Sequence, residues 1–207
     1  MTEGRREAVV LAGGAGTRFG GAKLTAPWRG GRLIDGALWA AFAAPARSVI
    51  VVTGADPAVA EAALAFAERH GQSGRLRQVH AADHAEGMAA SLRAGIAALP
   101  SDTAAAFIFL GDMPCVPPDL ASQLAKALDK TGAAAAAPIL NGDQGHPVLF
   151  AAELFPALGA LAGDHGARAI LDGLGERLAR VESDDAGAIL DIDQRADLTA
   201  CRGDDPG

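Results

Sequence analysis

The chain has 207 residues, half of them hydrophobic but only 4% aromatic, with seven Phe, two Trp and no Tyr. That length suffices for one α/β domain with a real core, and so few rings argue against surfaces that stack bases or sugars. A formal charge of −7 speaks against non-specific binding to nucleic acid or an anionic membrane. Cys115 and Cys201 are too few for a disulfide framework or a four-cysteine zinc site. The opening MTEGRREAVVLAGG breaks at glycine too soon for a signal peptide or membrane anchor, and the expectation is a cytoplasmic protein.

In chain order, Ala8–Ala12 predicts a short buried strand that ends abruptly in Gly13-Gly14. Ser48–Thr53 is a second strand, rich in β-branched residues, and Asp56 with Pro57 opens a helix that runs to about His70. Arg77–His80 is a weaker strand, and Glu86–Leu99 reads as a helix stopped by Pro100. Phe107–Leu110 is a buried strand closed by Gly111-Asp112, with a helix over Pro117–Lys130. Further on come strands at Ala133–Ile139 and Val148–Phe150 and helices at Ala151–Leu161 and Arg168–Leu174. A last strand at Ala188–Ile192 follows. Strands alternating with helices predict a three-layer α/β/α sandwich on a mostly parallel sheet, one domain over 1–200 with a disordered tail at 201–207. Ligands of such sheets sit at the carboxyl ends of strands, where Gly13-Gly14 and Gly111-Asp112 both fall.

The charge is uneven. Residues 1–32 carry six basic side chains against two acidic ones in an otherwise acidic chain. Within that stretch, LAGGAGTRFGGAK places glycines directly after a strand, where backbone N–H groups can approach phosphate oxygens that a Cβ would obstruct. Arg18 and Lys23 add charged donors suited to a polyphosphate. Neither a dinucleotide fingerprint nor a P-loop fits: Phe19 stands at the third glycine position of the first, and Ala22-Lys23-Leu24 follows Gly21 in the second. A zinc-deaminase pattern starting at His84 and Glu86 also fails, because Pro118 stands where the second cysteine belongs.

LAGGAGTRFGGAK resembles the opening motif of nucleotidyltransferases with the glycosyltransferase-A-like fold. PWRGGRLID, EGMAASL (86–92), LGDMP (110–114), GHPV (145–148), GDHGAR (163–168) and DID (191–193) are similar, in order, to segments of molybdenum cofactor cytidylyltransferases, the MobA/MocA-like group. The resemblance spans about residues 8–198. It implies a Rossmann-like sheet of the nucleotide-diphospho-sugar transferase type and transfer of CMP from CTP to the phosphate of molybdenum-molybdopterin, with pyrophosphate released. The Leu-Ala-Gly-Gly opening resembles guanylyl-transferring relatives instead, and Gly13 in place of alanine would leave room for a larger base, so GTP is the alternative nucleotide. Gln144 stands where a basic residue often precedes the G-H-P loop, so transfer to another small phosphate is the alternative acceptor, and a nucleotide- or pterin-binding carrier is the non-enzyme reading.

Under this resemblance Leu11, Ala12, Gly13, Gly14, Gly16, Thr17, Arg18 and Lys23 hold the nucleotide. Gly87, Met88 and Ser91 lie on the base side, Gly111 belongs to the metal motif, His146 lines the acceptor site and Arg168 meets a substrate phosphate. Arg18, Lys23 and Asp112 are the catalytic set. Asp112 is a ligand for Mg²⁺ (or Mn²⁺), and Asp193 is the second ligand with Asp191 as fallback. Read from the residues alone, Asp191 and Asp193 equally cap a helix at Gln194, Ser91 is a helix-start residue, and Arg168 pairs with Asp164 four residues earlier. Partners implied are the nucleotide, molybdopterin, and transient contact with a client molybdoenzyme or its chaperone.

Overall fold

The computed structural model describes residues 5–163 and 166–199. β1 (Arg6–Ala12) leads through the glycine-rich loop to a hairpin of β2 (Pro27–Trp28) and β3 (Gly31–Arg32), then to α1 (Leu33–Ala43). β4 (Val49–Thr53), α2 (Ala58–Arg69), β5 (Leu76–His80), α3 (Met88–Ala97), β6 (Ala105–Leu110) and α4 (Leu120–Thr131) continue the alternation. β7 (Ala135–Leu140), β8 (Asp143–Gln144), β9 (Val148–Ala151), α5 (Phe155–Gly159), α6 (Arg168–Gly173) and β10 (Leu178–Glu182) complete it.

The main sheet runs β10-β7-β9-β6-β1-β4-β5, with β8 hung on β7. The pairs β1–β4, β1–β6, β4–β5 and β7–β10 are parallel, and β9 runs antiparallel between β6 and β7. Strand side chains alternate between two cores. Ala8, Val10, Val49, Val51, Phe107 and Phe109 pack beneath α1, α2 and α4. Val9, Leu11, Ile50, Val52 and Ile108 face Leu92, Leu158 and Leu171 of α3, α5 and α6. This is the expected three-layer, mostly parallel sandwich. Phe107 is fully buried at its centre, and truncating such a ring to alanine costs about 3–5 kcal/mol. No helix among the described residues is long and apolar enough to cross a membrane.

Several boundaries differ from the sequence reading. α1 was not expected: seven of its eleven residues are buried, so LIDGALWAAFA lacks the polar stripe that marks a helix in sequence. β10 was also missed, because Arg180 and Glu182 break up its apolar content at the edge of the sheet. α3 starts at Met88 rather than Glu86, since Gly87 at φ 107° and ψ −171° holds a conformation closed to other residues. α4 starts at Leu120 because each residue before a proline is steered away from helical angles, which bars Val116 and Pro117. The helix expected over Ala151–Leu161 splits into a 3-10 turn (Ala152–Leu154) and the short α5, with Pro156 in its first turn.

No strand forms over Ala188–Ile192. Asp185 Oδ1 accepts from Gly187 N at 2.7 Å and winds Ala186–Ala188 into a 3-10 turn. Single backbone bonds then tie this segment to its neighbours: His146 N donates to Ala188 O (2.8 Å) and Ile192 N to Asp112 O (2.9 Å). The tail at 201–207 lies outside the described residues.

Candidate active site

The loop after β1 folds back on one carbonyl. Phe19 N and Gly21 N both donate to Gly16 O at 3.1 Å. Gly16 adopts φ 59°, and a Cβ built on it would stand 2.8 Å from the Cβ of Lys23. Glycine there lets the loop close on Lys23, whose side chain is only 11% exposed and is thereby aimed at the end of β6.

Asp112 stands at that end. Lys23 Nζ lies 2.7 Å from Asp112 Oδ2 and 3.5 Å from Asp193 Oδ1, while Arg18 Nη1 donates to Asp193 Oδ2 at 2.9 Å. The Ile192 N–Asp112 O bond pins the 191–193 segment beside β6. Ile192 is fully buried, and Asp197 accepts from the amides of Asp193 (3.0 Å) and Gln194 (2.7 Å). Thus it is Asp197 that caps the turn at Gln194, leaving the Asp193 carboxylate to the cations. The Asp191 carboxyl is pushed up from the usual range by burial, then by the negative charges of Asp112 and Asp193.

These residues enclose a cleft of about 260 Å³ lined by Leu11, Ala12, Gly14, Gly16, Thr17 and Arg18, together with Phe19, Lys23, Leu24, Asp112 and Asp193. Nine are sequence candidates. Phe19 and Leu24 were not among them; the signal available was two large apolar side chains in an otherwise small and polar loop, both now buried. Arg195 lies over the Phe19 ring at 4.8 Å and closes the loop from outside.

The other candidates lie around this cleft. Gly111 N donates to Leu11 O at 2.9 Å, locking the two strand ends together. The room beside Gly13 is taken: a Cβ there would fall on Ser91 Oγ, and Ser91 is buried. Gly13 therefore accommodates a side chain of α3 rather than leaving free space for a larger base. Gly87 and Met88 open α3, and Met88 stands 47% exposed. His146 Nδ1 sits 3.4 Å from Ile108 O; burial pulls its pKa down, opposed by that carbonyl and by the Asp112 charge. Arg168 is exposed at the start of α6, and its expected partner Asp164 lies outside the described residues.

No three His, Cys, Asp or Glu side chains among the described residues converge as a closed metal cage. Asp112 and Asp193 instead offer hard carboxylate oxygens at an open cleft, a donor set that suits a divalent cation kept partly hydrated and completed by phosphate oxygens.

A glycine loop with two cations faces paired carboxylates at the carboxyl ends of parallel strands, the edge at which α/β proteins of this class bind their ligands. Residues 8–181 match the model of the MobA-like NTP transferase domain. The chain belongs to that family and is a nucleotidyltransferase of the MobA-like type. It is 27% identical over 197 residues to the molybdenum cofactor cytidylyltransferase of Escherichia coli, covering 95% of each chain. In structure it is similar to Rv0371c of Mycobacterium tuberculosis, with a TM-score of 0.80, 24% identity, and coverage of 96% of this chain and 98% of that one. That protein is also known as a manganese complex. A nucleotidyl transferase of Methanothermobacter shares the fold at a TM-score of 0.72 and 23% identity, covering 96% of both chains.

Proposed function

We propose that this chain transfers CMP from CTP to the phosphate of molybdenum-molybdopterin and releases pyrophosphate, with Mg²⁺ or Mn²⁺ held by Asp112 and Asp193. The observation that carries the reading is the contact of Lys23 with Asp112. A phosphate-type cation and a metal-type carboxylate meet at 2.7 Å in one cleft, each neutralising the other until a triphosphate with its cation exchanges both partners. Likeness to the Escherichia coli cytidylyltransferase over nearly the whole chain supports CTP and the molybdopterin acceptor.

In this reading an oxygen of the acceptor phosphate forms a bond to the α-phosphorus of CTP as the α–β bridge bond breaks, and the electron pair leaves with pyrophosphate. The acceptor oxygen is already ionised near neutral pH, so no strong general base is needed. A divalent cation held by Asp112 and Asp193 would supply charge neutralisation on the phosphates. Lys23 and Arg18 bind and orient the triphosphate, the loop amides after β1 cradle it, and Gly13 with Ser91 shapes the base side. Met88 at the exposed start of α3 covers that side, and His146, held neutral by its surroundings, faces the acceptor.

The test is pyrophosphate release from CTP and, separately, GTP, with Mg²⁺ and molybdenum-molybdopterin. Release from CTP supports the reading. Release from GTP alone makes the chain a guanylyltransferase, and tight nucleotide binding without release from either makes it a carrier.

A further inference from the structure

We propose that Arg195 is a positioning residue for nucleotidyl transfer. Stacked on Phe19, it keeps the glycine loop in register with the segment that carries Asp193 while the charged groups between them change partners. This role rests on the function proposed above.

Three side-chain contacts join the loop after β1 to residues 191–197. Arg18 Nη1 donates to Asp193 Oδ2 at 2.9 Å, Lys23 Nζ lies 3.5 Å from Asp193 Oδ1, and the Arg195 guanidinium lies 4.8 Å over the Phe19 ring. The first two are made of groups that the transfer itself needs. A triphosphate takes Arg18 and Lys23, and a divalent cation takes Asp193, so both ion pairs are given up as the substrate enters. The stack uses none of those groups and persists through the exchange.

Both ends of the stack are fixed from behind. Phe19 is only 3% exposed, shares an apolar core with Leu24, Met113 and Ile192, and donates its N–H to Gly16 O at 3.1 Å. On the other side, Ile192 N is bound to Asp112 O, and Asp197 accepts from the amides of Asp193 and Gln194. Those bonds set the turn from which Arg195 projects. Asp191, Asp193 and Asp197 all lie within four residues of Arg195, yet among the described residues it forms an ion pair with none of them. Arg47, Arg69, Arg93 and Arg177, by contrast, each pair with a carboxylate. A planar guanidinium on a ring face is a directional contact. Here it leaves the Asp193 carboxylate to Arg18, Lys23 and a cation.

Transfer needs the triphosphate, held by the loop, and the cation, held by Asp112 and Asp193, in one geometry. Without the stack the loop shifts against Asp193 after binding, which lowers turnover of bound substrate rather than affinity.

Amide hydrogen exchange in the unliganded protein reads the stack without any substrate. Arg195→Gln should speed exchange of the Phe19 and Gly21 amides about two- to fivefold, the weight of an exposed cation–π contact, and leave Val9 and Val51 in the sheet unchanged. Pyrophosphate release from whichever of CTP and GTP turns over should show kcat reduced by about the same factor with the nucleotide KM held. Arg195→Lys should recover part of the loss. Phe19→Leu, which keeps apolar bulk without the ring face, should match Arg195→Gln in kcat, and the double variant should be no slower than either. The proposal is overturned by unchanged exchange in Arg195→Gln, or by multiplicative losses in the double variant. A raised KM with kcat held also overturns it, making Arg195 a direct phosphate ligand. A wild type that turns over neither nucleotide overturns the underlying reading of function, and this role with it, whatever the exchange shows.

Discussion

Gly13 and Ser91 occupy one space: the hydroxyl of Ser91, from the first turn of α3, sits where a side chain on residue 13 would begin. The glycine after β1 thus fits the loop to the helix. Gly13→Ala should cost about 1–3 kcal/mol through overpacking. Adding Ser91→Ala should recover part of that loss, with a coupling energy of about 0.5–3 kcal/mol in a double-mutant cycle. Denaturant melts of the four proteins measure it; strictly additive losses would separate the two residues.

In the proposed reaction Lys23 would compete with a divalent cation for Asp112 before nucleotide binds. Its removal leaves Asp112 and Asp193 with less positive charge nearby. Lys23→Ala should therefore bind Mn²⁺ more tightly in the absence of nucleotide, by about tenfold at the effective dielectric of a partly exposed site. Turnover should fall by about 10²–10³, as when a preorganised charge donor is lost. Calorimetric Mn²⁺ titration and steady-state kinetics read the two effects, which a merely structural lysine would not move in opposite directions.

Asp191 is crowded by like charges. Its carboxyl is raised above the usual 3.8, so the folded protein holds its charged form at a cost at neutral pH and regains stability from this group as pH falls. Asp191→Asn should raise the Tm of the unliganded protein slightly, because solvent screens much of the repulsion at this exposed carboxylate. Thermal melts at pH 7 check the shift, and a lower Tm would contradict the crowding.

His146 works in the opposite sense. Its pKa lies below the usual 6.5, so the unfolded chain takes up this proton first and stability from this group is lost as pH drops below about 6.5. Urea melts at pH 8 and pH 5.5 should show a loss on acidification that His146→Gln reduces. An unchanged pH dependence in that variant would exclude this cause.

Much of this architecture was legible in the chain because its signals are local. AVVLA, SVIVVT and FIFL announce buried parallel strands, and the glycines and Asp112 that follow them mark the functional edge. The helix over Leu33–Ala43 was hidden because it is apolar on almost every side. No strand forms over Ala188–Ile192 because its backbone serves single long-range bonds, Ile192 to Asp112 and Ala188 to His146, which no local period encodes. The Arg18–Asp193 pair spans 175 positions, so only the fold brings it to Lys23.

The central claim is nucleotidyl transfer at the Lys23–Asp112 cleft. It is tested most directly by following CTP labelled at the α-phosphorus with molybdenum-molybdopterin and Mg²⁺, in the wild type and in Asp112→Asn. The account predicts label on the pterin product in the wild type and a loss of rate of at least about 10²-fold in the variant. Label remaining on CTP in the wild type, or transfer at the normal rate in Asp112→Asn, would contradict it.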